Sequence, residues 1–136
     1  MHPLRNAALL GGLALLGLPV ANAAELIISE YVEGSGNNKA LEFYNSGSQV
    51  LDLSAYRVEF YFNGASAAGR SIDLSGSLAP GKTFVLANGV ADPALLALAS
   101  QRVEGSWFNG NDAVLLRRRS GEILDSLGQV GFNPGT

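Results

Sequence analysis

The chain has no cysteine, and its single histidine is His2. Without thiols there can be no disulfide, no thiolate nucleophile, no cysteine-bound zinc and no amino-terminal lipid attached through sulfur. Once His2 is lost with a leader, imidazole acid–base chemistry is excluded as well. Long apolar runs are also scarce. The longest, Ala7 to Val20, has 14 residues, short of the roughly 20 that span a bilayer. Charge is thin, at 15% of residues, and its only run of one sign is Arg117-Arg118-Arg119.

What is present begins with an address. Arg5, the apolar stretch Ala7 to Val20 and the small residues Ala21-Asn22-Ala23 stand in the order of an export signal. A cut after Ala23 leaves residues 24–136, a chain of 113 residues with eight basic against 12 acidic side chains and a net charge of −4. That size suits one domain, which on folding buries about two-thirds of its unfolded surface. With no disulfide available, the apolar core alone must hold the fold. The mature product is expected to be secreted, released or held at the cell surface or in a biofilm, with no stable membrane insertion after cleavage.

Beyond the leader, short apolar runs alternate with Gly, Asn, Ser and Asp, the punctuation of turns between strands. Leu26 to Val32 is rich in β-formers. In Ala40 to Tyr44, Leu41 and Phe43 oppose Glu42 and Tyr44, a period of two. Tyr56, Val58, Phe60 and Phe62 oppose Arg57, Glu59 and Tyr61 in the same way, and Asn63-Gly64 closes that strand. Arg70 to Leu74 is weaker. Pro80-Gly81 reads as a type II turn leading into a central strand, Thr83 to Ala87. Asp92-Pro93, at the N-cap and first helical position, starts a helix of two turns at most. Ala113 to Arg119 and Glu122 to Leu127 flank Ser120-Gly121 as a hairpin. About seven or eight short strands with no βαβ rhythm predict an all-β sandwich. The tail, Gly131 to Thr136, ends in turn residues and suggests the amino-terminal part of a longer chain.

Four segments carry a resemblance. They are Leu26 to Asn45 with Glu33-Gly34-Ser35-Gly36-Asn37-Asn38 at its centre, Leu51 to Tyr56, Pro80 to Ala87, and Phe108-Asn109-Gly110-Asn111-Asp112 running into Leu116. Together, and in this order, they resemble the lamin tail domain found at the amino terminus of bacterial secreted nucleases of the endonuclease/exonuclease/phosphatase type. The resemblance implies an immunoglobulin-like β-sandwich over residues 24–136 behind a signal peptide at 1–23. It also implies nuclease domains following in the same polypeptide, and a divalent cation (Mg, Ca or Mn) for those domains only. No cofactor is expected in this chain.

Candidate site residues compete with structural roles. Arg117, Arg118 and Arg119, with Lys39, could contact phosphates weakly, or the three arginines could simply solvate a hairpin end and discourage strand pairing. Alternation puts Arg117 and Arg119 on one face and Arg118 on the other. Glu30, Glu33, Asn37, Asn38, Glu42 and Asp112 offer oxygens for a metal, but without EF-hand spacing they serve equally as turn formers and ion-pair partners, Glu42 with Lys39 for example. Trp107-Phe108 with Tyr31, Tyr44 and Tyr61 is either an aromatic platform or a plug at the sandwich end. No two carboxylates stand out as an acid/base pair.

The function these features favour is a non-catalytic accessory domain of an exported nuclease that degrades extracellular DNA, positioning the catalytic part and binding substrate or a partner weakly. A stand-alone secreted structural or adhesive module for protein or glycan is the alternative.

Overall fold

A computed structural model describes residues 25–135; the leader expected over residues 1–23 lies outside the described residues. Ten strands form: β1 (Leu26–Glu33), β2 (Lys39–Asn45), β3 (Leu51–Asp52), β4 (Tyr56–Tyr61), β5 (Arg70–Asp73), β6 (Ser77–Leu78), β7 (Thr83–Asn88), β8 (Gln101–Val103), β9 (Ala113–Arg118) and β10 (Ile123–Leu127). One sheet has the order β1-β2-β7-β8 and the other β10-β9-β4-β5, while β3 and β6 make a small third ladder at the side. The period-two segments behave as their spacing requires. Leu41 and Phe43 of β2 and Val58 and Phe60 of β4 point inward and are fully buried. They meet Leu26, Phe84, Leu86, Ile72, Val114 and Leu116 in one core between the sheets. Burying each such side chain contributes about 1.5–3 kcal/mol.

The strand count exceeds the seven or eight expected from sequence because β3, β6 and β8 are only two, two and three residues long. No βαβ rhythm runs through the described residues, but one pair departs from the antiparallel pattern. β8 pairs parallel with β7, and the chain reaches it through α1 (Pro93–Leu96), a single turn of helix. Asp92 does sit at the N-cap, yet its side chain makes no cap bond. Instead Asn38 Nδ2 donates to Asp92 Oδ2 and Asp92 N donates to Asn38 Oδ1, both at 2.8 Å. This reciprocal pair ties the β1–β2 loop to the crossover.

Turn chemistry matches the backbone where it must. Asn63 (φ 53°) and Gly64 (φ 80°) take the left-handed conformations of a type I′ reversal. Gly81 (φ 77°) follows Pro80 as a type II turn requires. Asn45, fully buried, is satisfied on both sides. Its Nδ2 donates to Gln49 O and Leu78 O, and its Oδ1 accepts from Gly47 N.

Both open seams of the sandwich are sewn by side chains rather than by further strands. On one side Asp125 of β10 accepts from Ile28 N at 2.9 Å, next to the bulge that shifts the β1–β2 register between Ile28 and Glu30. On the other, Gln101 accepts from Ser75 N and donates to Asp73 O, while Arg70 donates to Ser106 O and Glu104 O. These bonds engage edge groups that would otherwise recruit another chain. Among the described residues no helix is long and apolar enough to cross a membrane.

Candidate functional site

The two ends of the sandwich differ in chemistry. Where β1 and β4 begin, Arg118 Nη2 lies 3.1 Å from Glu25 Oε2 and Nε lies 2.9 Å from Glu122 Oε1. Nη1 reaches Tyr56 Oη at 3.3 Å, and the guanidinium sits 5.5 Å from the centre of the Tyr56 ring. Arg117 projects from the opposite face. Its Nε bonds Glu59 Oε1 at 2.9 Å and its Nη1 donates to Gly121 O. Glu59 is buried and also accepts from Tyr61 Oη at 2.7 Å. Arg119 is half-exposed and lies 3.7 Å from Asp73. The arginine run is therefore divided between two faces, and each member has a carboxylate neighbour. Lys39 does not join it. It pairs with Glu33 at 3.8 Å and donates to Gly34 O, at the far end of β1 from Glu25.

The oxygen-bearing residues of the first loop are also drawn into the fold. Asn38 binds the crossover as described. Glu33 accepts from Tyr31 Oη at 2.8 Å. Glu42 accepts from Ser29 Oγ rather than pairing with Lys39 or an arginine, because the bulge at Ser29 brings that hydroxyl beside it. Glu30 and Glu42 are cross-strand partners and flank a small groove of about 100 Å³ against Leu95 and Leu98. Asp112 accepts from Asn63 N and Asn109 N, holding two loops at once. Among the described residues no three carboxylates converge as a metal shell would.

Opposite the arginine end, the rings of Trp107, Phe108, Phe60 and Phe62 pack with centroids 5.2–6.3 Å apart. Phe108 is buried, and Trp107 Nε1 donates to Val103 O, so this pair plugs the sandwich. Tyr31 stacks on Phe108 at 4.7 Å and forms the rim of a cleft of about 340 Å³ with Glu33, Gly110, Asp112, Leu127 and Gly128. Partial burial and then the neighbouring Glu33 push the Tyr31 hydroxyl well above the usual tyrosine value. Burial and the Glu59 carboxylate do the same to Tyr61. Tyr44 and Tyr61 lie elsewhere, Tyr61 under Val130 on the outer face of the second sheet, so the five aromatics form no common platform.

A model of the Lamin Tail Domain matches residues 19–131, spanning every strand just described. The chain belongs to the lamin tail domain family. No curated protein gives a significant match. In this lamin tail domain the immunoglobulin-like sandwich carries clefts and charged faces, consistent with a binding or accessory module. One residue with the chemistry of a contact was not singled out by sequence. Arg57, on β4, is the cross-strand partner of Arg117. The alternation of β4 marked it as outward, but only the register shows what it stands beside.

Proposed function

We propose that this lamin tail domain is the non-catalytic accessory module of an exported nuclease acting on extracellular DNA, where it holds substrate or positions the catalytic part. The observation that carries the proposal is the use made of its polar residues. Asn38, Glu42 and Asp112 bond to other segments, Glu59 holds Arg117 and Glu33 pairs with Lys39, which leaves surfaces for contact and, among the described residues, no assembled acid, base and nucleophile. The four family-like segments, in their order, support the nuclease setting.

Two measurements test this. Purified residues 24–136 should hydrolyse no phosphodiester with Mg²⁺, Mn²⁺ or Ca²⁺, and sustained hydrolysis abolished by a carboxylate substitution in the domain would sink the proposal. Deleting the domain from a parent nuclease should raise KM for DNA and leave kcat unchanged; an unaltered KM would remove the accessory role. A stand-alone adhesive module is the second reading, favoured by the Tyr31 cleft, whose ring and carboxylates suit a cationic peptide side chain or a sugar.

A further inference from the structure

Register gathers an arginine cluster that the linear run conceals. On the outer face of the second sheet Arg57 pairs with Arg117 across β4 and β9, and with Asp73 across β4 and β5. Arg119 follows just past β9, its main-chain N–H bonded to Ala55 O at 2.9 Å. This face therefore carries Arg57, Arg117 and Arg119 against Glu59 and Asp73, a local positive excess on an acidic protein. Like charges directly opposed on neighbouring strands are destabilising unless something neutralises them.

The neutralisation is uneven. Glu59 Oε1 accepts from both Arg117 and Tyr61. Asp73 is left to serve two guanidinium groups, at 3.5 Å from Arg57 Nε and 3.7 Å from Arg119 Nε. A charge-assisted hydrogen bond would be about 2.7–2.9 Å. Arg57 Nε is itself buried and makes no hydrogen bond, so only the partly exposed outer end of that guanidinium is open to a ligand, and Arg119 makes one long bond, 3.4 Å to Ser54 O. Arg118, by contrast, is occupied by Glu25, Glu122 and Tyr56 on the other face. The tail that covers this sheet does so at its far end, where Val130 packs on Tyr61, Ala113 and Leu115.

We infer that Arg57 and Arg119, which share Asp73, form with Arg117, held alongside by Glu59, a phosphate-binding face that takes the phosphodiester backbone of DNA. The inference rests on the accessory-module reading and gives that module its contact surface. Planar guanidinium groups match phosphate oxygens two bonds at a time, and an anion there supplies the charge that Asp73 alone does not. Such contacts carry no base sequence and weaken with salt.

The test is a titration of the purified chain with a labelled DNA duplex over a series of salt concentrations. Arg57→Gln and Arg119→Gln should each weaken binding several-fold at low salt and reduce the slope of log affinity against log salt by about one. Arg118→Gln and Lys39→Gln should bind as the parent does. Arg57→Lys, which keeps the charge, should retain the slope, and an unchanged Tm shows that each variant is folded. In NMR spectra the guanidinium Nη signals of Arg57 and Arg119 should move on adding DNA while those of Arg118 stay. If the parent binds and Arg118→Gln or Lys39→Gln weakens it as much as the face variants do, or none does, the face is wrong and the accessory role survives. If the parent binds no DNA even at low salt, the inference is overturned, and the KM of the domain-deleted nuclease then decides the broader reading separately.

Discussion

The two poles of this sandwich are built from opposite materials. At one, Phe60, Phe62, Trp107, Phe108 and Tyr31 close the core ring against ring. At the other, Arg118 is clasped by Glu25, Glu122 and Tyr56, half in solvent. The first depends on area removed from water and is indifferent to salt; the second depends on charges that water and ions screen. A single core thus has one pole fixed by packing and another that conditions can loosen, and the outward arginines lie beside the second.

The sharpest way to break that contrast is at the aromatic pole. Phe108→Ala removes a buried ring with three aromatic neighbours and should destabilise the domain by about 3–5 kcal/mol in urea unfolding; a loss below about 1 kcal/mol would mean that the plug is not integral. Alkali distinguishes the poles next. Burial first, then Glu33, raises the hydroxyl of Tyr31 at the aromatic pole, whereas at Tyr56 Arg118 opposes the rise that burial causes. A raised folded value means that this part of the stability is complete below the ordinary tyrosine pKa of about 10 and is lost as pH climbs from there through the folded value. Tm should therefore fall above that pH, and Tyr31→Phe should flatten the fall more than Tyr56→Phe. The smallest effect belongs to Arg118→Gln. Partly exposed pairs of this kind contribute about 1 kcal/mol or less, and the gap between variant and parent should narrow in high salt; a gap that salt leaves untouched would show packing, not charge, at that pole.

Much of this architecture was legible from residue order. Alternation in β2 and β4 fixed which side chains face inward, and Asn63-Gly64 and Pro80-Gly81 fixed reversals, because both are local properties of a few consecutive residues. β8 was not legible. Gln101-Arg102-Val103 is too short to show a period, and it is a strand only because β7 lies alongside it. The arginine face was half legible. Alternation separates Arg118 from Arg117 and Arg119, but Arg57 is 60 positions from Arg117 and joins it only through the β4–β9 register. The loop oxygens were legible as loop holders, Asp112 bonding Asn109 N within its own turn, but not their distant partners: Asn38 and Asp112 also bond residues 54 and 49 positions away, pairings that no local pattern encodes.

The polypeptide enters β1 at the pole of Glu25 and leaves β10 at the opposite pole, where Leu127 pairs with Val114. A pull applied between these points would run along the strands. The rungs joining β1 to β2 would then bear the load side by side and have to shear together instead of unzipping singly, so the domain is shaped as a tension-resistant link.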